Sequence, residues 1–512
     1  MKWVFSFSHS KRYDEWIESL GVSSKTLMEI AADGIFRAIN ERAYLRDSKV
    51  VVIAGKGNNG GDGVACARRC ALAGARTVIY VPDEGHSPLL QEQLELFKRF
   101  NLGEIKGYSD PSLVADIADA DIVVDAIFGV GFSGKMDSPY AEIVEAINSH
   151  ARFVVSVDVP SGVDENGEVS GPAVKADLTV CLGALKTSVL LFPGRNLAGE
   201  TVVVDFGFPV DREMGPLAMY EDDDIRRMLP ERLGHENKGS FGRVAIFAGS
   251  YQYPGTVYMT SVGALRSGVG LVYTIVPKSL KHVVNSPPPL PDVIMIDVPD
   301  RRGHFIRENV EYVQQTKLKF DAYVVGPGIT RFPGALEFAS VLLKTFPHLP
   351  AVVDADAIMA FKNRPFPDNP HMVFTPHPGE LGAITGKSPK TIDKERITMA
   401  RRISTTFPGV LVLKGAPTVI AHRGEVVINP TGNTALARGG SGDLLAGLIG
   451  GLLAQGMEPF KAAIVGTYVH GKAAELMPNE RSYRVIEIGS ALSAAFTLIE
   501  KGEVPFIDVA SR

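Results

Sequence analysis

The 512-residue chain is predicted to fold as an α/β protein of two domains, each a parallel sheet covered by helices. Three observations predict this. Short β-branched runs alternate with longer helical patterns; the runs are continuously apolar, as strands buried on both faces require; and the alternation lapses once before starting again. In the first half the strands are 51–55 (VVIAG), 77–81 (TVIYV), 122–129 (IVVDAIFG), 153–161 (FVVSVDVPS), 178–183 (LTVCLG) and 201–207 (TVVVDFG). Between Pro209 and Gly239 the pattern dissolves into charge, Gly and Pro, which places a junction near residue 217 and gives domains 1–216 and 217–512. The second alternation runs through 243–250 (RVAIFAGS), 322–328 (AYVVGPG), 350–357 (PAVVDADA), 372–380 (MVFTPHPGE), 410–415 (VLVLKG) and 418–422 (TVIAH). Helices are expected over 443–455 and 459–476. No repeat of fixed period appears, and NSPPPLPD (285–292) reads as a surface loop.

Bulk properties exclude several classes. With 45% hydrophobic and 22% charged residues the chain is not disordered, and a net charge of −5 exerts no global pull on nucleic acid or anionic membranes. No uncharged apolar stretch reaches the ~18–20 residues that span a bilayer. The opening MKWVFSFSHSKRYDEW is broken by polar residues too early for a secretory signal, so a cytoplasmic location is expected. Of the three cysteines, Cys66 and Cys70 are spaced to share a helix face, but no further Cys and no flanking His completes a metal site. They read as small buried hydrophobes.

In the first domain, GKGNNGGDG (55–63) follows a strand and opens a helix. Gly55, Gly57 and Gly60 match the dinucleotide fingerprint, and Asp83 supplies an acid about 20 residues on, so a dehydrogenase is the first reading to test. Against it, Asn58, Asn59 and Asp62 are polar groups that a pyrophosphate turn does not need. Asp125, in VDAIFGVGFSGK (124–135), and Asp158, in SVDVPSGVD (156–164), stand at two more strand ends. In an open α/β sheet these ends border the ligand crevice, where Asn59, Asp125 and Ser161 can offer hard oxygens to a weakly held cation and Asp158 can serve as acid or base. Taken singly, each aspartate reads equally well as a turn cap.

The second domain carries GGSGDLLAG (439–447), where glycines precede Asp443 and an apolar helix. Capping alone would account for Asp443, while bare amides at Gly439, Gly440 and Gly442 would suit a phosphate. The other loops decide between them: VVGPGI (324–329), Asp354 and Asp356 in VVDADA, His377 and Glu380 in TPHPGE, and Lys414 in LKGAPT. A phosphate loop, a lysine and several carboxylates describe a phosphoryl-transfer site, although no P-loop motif is present. RSGVG (266–270) reads as a plain helix-to-strand turn.

These motifs carry two resemblances. GKGNNGGDG, VDAIFGVGFSGK and VSVDVPSGVD resemble the loops of the YjeF N-terminal family, the NAD(P)H-hydrate epimerases, over about residues 10–210. The resemblance implies a Rossmann-like sheet and hydrate binding by Asn58, Asn59, Gly60, Gly61, Asp62, Gly129, Val130, Gly131, Phe132, Ser133, Gly134, Lys135 and Asp158. It implies potassium on Asn59, Asp125 and Ser161, and Asp158 at the reacting centre. LMEIAADG (27–34) departs slightly from that family's Leu-Met-Glu-x-Ala-Gly. TPHPGE, KGAPT, NPTGN (429–433) and GGSGDLLAG resemble the ribokinase-like fold and, within it, the ADP- or ATP-dependent NAD(P)H-hydrate dehydratases, over about residues 225–500. Asp443 is then the catalytic base. Lys414, Gly415, Ala416, Pro417, Thr418 and Gly442 would touch the adenine nucleotide, and Thr256, Gly328, His377 and Asp443 the hydrate. Vitamin kinases of this fold more often show Asn-x-x-Glu where this chain has His377-Pro-Gly-Glu380.

Together the resemblances imply a bifunctional repair enzyme that interconverts R- and S-NAD(P)H hydrate and dehydrates the S epimer with ADP and Mg²⁺, yielding AMP and phosphate. The expected partners are NADHX, NADPHX and ADP, without nucleic acid or membrane, in a homo-oligomer. A small-molecule kinase with an accessory domain, or a binding scaffold, are the rival readings.

Overall fold

The computed structural model describes residues 1–211, 214–215, 217–281, 292–366 and 368–502. Most of NSPPPLPD, expected to be a surface loop, lies outside these residues. The chain divides into two compact units, residues 2–217 and the part from Ala218 onward.

The first unit holds a seven-stranded sheet, parallel throughout, ordered Gly103–Gly107, Arg76–Val81, Lys49–Ala54, Ile122–Ala126, Val154–Val157, Leu178–Leu182 and Glu200–Val204. Strand direction of growth reverses between Lys49–Ala54 and Ile122–Ala126, so a crevice opens at their carboxyl ends. The continuous apolar runs are explained by alternation. Val50, Val52 and Ala54 face a core shared with Ile35, Val64 and Phe97, while Val51 and Ile53 face Ile117, Val144 and Ile147 on the other side. The edge strand Gly103–Gly107 escapes sequence reading because its residues are exposed or only half-buried and carry no apolar run.

Ahead of the alternation, Lys2–Phe5 pairs in parallel with the short strand Leu185–Lys186, with Phe5 opposite Lys186. Helix Phe7–Ser19 follows, its head capped by Ser6, whose Oγ accepts from His9 N at 3.2 Å. Tyr13 and Ile17 anchor this helix against Phe5, Leu27 and Phe206. Neither element shows the strand-helix rhythm, and both bear on the site below.

The second unit is ordered Val293–Val298, Leu271–Pro277, Arg243–Phe247, Ala322–Val325, Ala351–Val353, Met372–Phe374 and Val410–Leu413, all parallel. An antiparallel hairpin, Val419–His422 and Glu425–Ile428, extends it. Arg423 and Gly424, both at positive φ (48° and 84°), make the tight turn between the paired residues His422 and Glu425. Here growth reverses between Arg243–Phe247 and Ala322–Val325. RSGVG does lead from helix Gly255–Arg266 to strand Leu271–Pro277.

Helix Ser441–Ala454 is buried along nearly its whole length. Glycines let it cross Gly255–Arg266 at backbone contact: a Cβ on Gly447 would lie 1.9 Å from Thr260 O, and one on Gly263 2.0 Å from Leu444 O.

Candidate functional site

At the crevice of the first unit lies a cavity of about 600 Å³. Its rim begins at helix Asn58–Leu72, whose N-cap is Gly57, without any side-chain cap bond. The neighbouring helices Ser24–Asn40 and Pro88–Arg99 are by contrast capped by the side chains of Ser23 and Ser87. Gly55 makes the approach possible, since a Cβ there would meet Ile127 O at 1.8 Å.

Asn58, Asn59, Asp62, Asp158 and the loop Gly129–Phe132 all line the cavity. Ser133, Gly134 and Lys135 do not, although the resemblance placed them with the ligand. The physical reason is the loop's course: Lys135 has moved away to pack beside Gly171, its Cγ 3.7 Å from a Cβ built there. Gly60 and Gly61 also lie off the wall, packed against Gly55 O and the Met28 side chain. Asp83, the acid of the dehydrogenase reading, is exposed and outside this wall.

Asp125 is fully buried. It accepts from Ser161 Oγ (2.6 Å), Ser156 Oγ (2.7 Å), Ser161 N (2.9 Å) and Ile127 N (3.3 Å), all neutral donors. Ser161 Oγ also receives Phe128 N at 2.9 Å. Asn59 stands against Gly129, and its buried Nδ2 has no hydrogen-bond partner.

Asp158 adopts φ +68°, a strained value for a non-glycine residue. Its Oδ1 accepts from Leu182 N (3.0 Å) and pairs with Lys186 Nζ (2.7 Å). Lys186, only 1% exposed, spends its other donors on Leu182 O (2.7 Å) and Ala184 O (3.0 Å). With Oδ1 so engaged, Oδ2 is the atom left for a ligand. Sequence reasoning missed Lys186, yet it is the one charge in the run 178–194, a signal that was available. It also missed Asp14, on helix Phe7–Ser19, which lines the same wall. Burial raises the Asp14 carboxyl to about 7, against the pull of Lys186.

In the second unit, helix Ser441–Ala454 begins at Gly440, φ +95°, with no side-chain cap. Asp443 is therefore in the first turn and caps nothing. Lys414 Nζ pairs with Asp354 Oδ1 at 2.6 Å and stands 4.0 Å from Glu380 Oε2. It also reaches the helix head, 3.1 Å from a Cβ built on Gly442. Thr375 Oγ1 completes the hold on Asp354 at 2.8 Å. Burial raises Asp443 to about 7, with Asp354 adding to the rise and Lys414 opposing it. Burial likewise lifts Glu380 to about 6.

His377 is the N-cap of helix Pro378–Thr385; Nδ1 accepts from Gly379 N (2.9 Å), and Glu380 Oε2 accepts from His377 N (2.8 Å). Burial lowers the His377 ring below its usual value. Thr256 and Gly328 adjoin, a Cβ on Gly328 falling 2.3 Å from Thr256 Oγ1, whose own bond goes to Tyr253 O (2.8 Å). The Lys414–Thr418 loop is braced by buried Arg396, which donates to Pro417 O; Thr418 Oγ1 donates to Gly415 O at 3.1 Å. Asp356 is turned aside into a pair with Arg331 at 3.0 Å. Arg396 and buried His470, 3.4 Å from Ser441 Oγ, carried no sequence signal because they act through the packed loop behind the site.

A bare helix head flanked by a half-buried carboxylate and a lysine, on a doubly wound sheet, is the arrangement of a ribokinase-like enzyme, here joined to a Rossmann-like unit with its own carboxylate-lined cavity. The model for NAD(P)H-hydrate dehydratase matches residues 244–494, and that for the YjeF-related protein N-terminus matches 24–188. The chain is 33% identical over 488 residues to the bifunctional NAD(P)H-hydrate repair enzyme of Moorella thermoacetica, covering 92% of this chain and 91% of that one. It is 34% identical over 483 residues to that of Hyperthermus butylicus, covering 91% and 86%. A Bacillus subtilis ADP/ATP-dependent NAD(P)H-hydrate dehydratase, co-crystallized with ATP/Mg²⁺, superposes with a TM-score of 0.50 at 30% identity, over 56% of this chain and 99% of that one. The chain belongs to the family of bifunctional NAD(P)H-hydrate repair enzymes.

Proposed function

We propose that residues 1–216 epimerise R- and S-NAD(P)H hydrate and that residues 217–512 dehydrate the S epimer, converting ADP to AMP and phosphate. The observation that carries the second activity is Asp443, held half-buried at an uncapped helix head with Lys414 beside it. A carboxyl near 7 accepts a proton at neutral pH and is basic enough to matter. Asp443 takes the proton of the ring hydroxyl as that oxygen attacks the terminal phosphorus of the nucleotide. The amides at Gly442 and Asp443 and the Lys414 ammonium face the phosphoryl charge. The ring nitrogen lone pair then expels phosphate, and loss of a proton from the adjacent carbon restores the double bond of NAD(P)H.

Mg²⁺, when bound, neutralises charge on the nucleotide phosphates. Among the described residues no group of three His, Cys, Asp or Glu forms a ready cage. That suits an ion held by one or two carboxylates, such as Glu380, and otherwise by phosphate and water. In the first unit, potassium on Asn59, Asp125 and Ser161 would supply the countercharge that Asp125, bonded only to neutral donors, does not receive from them. The donor set, a buried carboxylate at Asp125, the Ser161 hydroxyl and the Asn59 amide oxygen, is one of hard oxygens and fits such an ion. The reading extends to a cytoplasmic homo-oligomer, for which light scattering gives the direct test; the three buried free cysteines accord with a reducing compartment.

The deciding assay supplies each epimer with Mg²⁺ and ADP or ATP, and follows R, S, inorganic phosphate and reduced-nicotinamide absorbance. Phosphate release with recovery of absorbance supports the reading. A phosphorylated organic product would make the second unit a kinase.

A further inference from the structure

We propose that Asp14 is the second proton-transfer group of the epimerase cavity, exchanging a proton with the ring nitrogen while Asp158 serves the ring hydroxyl. This deepens the epimerase reading and rests on it.

Asp14 lies outside the matched segment 24–188, on helix Phe7–Ser19, and lines the cavity together with Asp158. No described residue gives it a hydrogen bond or ion pair. Lys186, the cation that acts on it, has its three donors committed to Asp158, Leu182 O and Ala184 O. Asp14 caps no helix and bridges no elements, so its burial has no structural return. Pairing of Lys2–Phe5 with Leu185–Lys186 holds the start of that helix beside the Lys186–Asp158 pair. The charged groups acting on Asp14 are Lys186 and Asp158 across the cavity, and Glu15 and Glu18 on its own helix; Asp62, on helix Asn58–Leu72, feels its charge in turn.

The chemistry needs two groups. In the hydrate, the hydroxyl-bearing carbon is bonded to a ring nitrogen whose lone pair is delocalised, so that nitrogen leaves poorly unless protonated. Asp158 Oδ2 takes the hydroxyl proton, the oxygen electrons form the carbonyl, and the carbon–nitrogen bond breaks as its electrons take the proton carried by Asp14. After rotation of the aldehyde, nitrogen attacks the opposite face, returning its proton to Asp14 while Asp158 returns one to oxygen. Atoms and charge balance over the cycle, and no redox partner takes part. A carboxyl lifted to about 7 is half protonated at neutral pH, as a group that both gives and takes requires.

The test uses the full chain and the exchange rate between R and S hydrate, without nucleotide. Asp14→Asn is expected to lower kcat ~10²-fold or more with KM near that of the parent, and Asp14→Glu to restore much of it. The parent rate should fall as pH rises through about 7, and Asp14→Asn should remove that limb; dehydration of supplied S epimer should not change. An Asp14→Asn variant within about twofold of the parent, with the limb intact, overturns the inference. If that variant does not fold, a parent profile flat between about pH 6 and 8 overturns it equally, and a descending limb displaced in Asp14→Glu supports it. A parent chain that does not accelerate exchange at all would sink the epimerase reading instead.

Discussion

Replacing Asp443 by Asn tests the charge placement at the phosphoryl-transfer site through two opposite effects. The carboxyl rises from 3.8 to about 7 on folding, roughly 3 pH units, which corresponds to at most ~4 kcal/mol of destabilisation once the group is ionised. Partial solvent contact reduces this, and ~2 kcal/mol is the working value. Its sign follows from proton counting: between about pH 4 and 7 the folded state binds the proton that the unfolded state has released, so stability falls as pH rises across that window. Asn carries no charge to bury. The variant should therefore match the parent near pH 4 and exceed it by ~2 kcal/mol above about pH 7. Both tryptophans, Trp3 and Trp16, are in the first unit, so calorimetry rather than fluorescence should follow the second. Activity moves the other way. Losing the base should reduce phosphate release ~10²- to 10⁴-fold, and the parent rate should climb through about pH 7 as Asp443 ionises. A variant that keeps activity within tenfold of the parent, or that is less stable at about pH 8, would refute the argument.

Lys414→Met should leave Asp354, 1% exposed, without its cation, costing ~3–5 kcal/mol, and should shift the rising limb of the dehydratase pH profile to higher pH because Lys414 opposes the rise of Asp443. Gly55→Ala would drive a methyl to 1.8 Å from Ile127 O, a backbone atom that cannot yield; the tryptophan-detected melt of the first unit should show a loss of ~1–3 kcal/mol, while dehydration of S hydrate stays near the parent rate. Arg396→Ala should free the Ala416–Pro417 turn from its buried donor and raise KM for the nucleotide about tenfold with a smaller change in kcat, measurable by initial rates of phosphate release.

The strand-helix rhythm was legible because the central strands are buried on both faces, so their runs are predominantly apolar, with Asp125 and Ser156 as buried polar exceptions at the site. Val50 to Ala54 is the clearest case, splitting residue by residue between two cores. Where burial is incomplete the signal fails, as at Gly103–Gly107, whose sequence GEIKG has no apolar run. Loop motifs were legible for another reason: the left-handed backbone at Gly440 (φ +95°) and the close approach of Gly55 to Ile127 O both need glycine in the chain itself. What they did not reveal is which residues of a loop reach the ligand, and Ser133 to Lys135 leave the wall that Gly129 to Phe132 form.

Local order therefore specified the two α/β units, their glycine loops and the carboxylates at their strand ends, all of which depend on neighbours a few residues apart. Contacts between distant segments settled the rest. Lys186 meets Asp158 across 28 positions, Lys414 meets Asp354 across 60, and Asp14 enters the cavity on a helix outside the alternating pattern. Charge and burial act through space, and a carboxyl is poised near neutrality only by what surrounds it once the chain has closed.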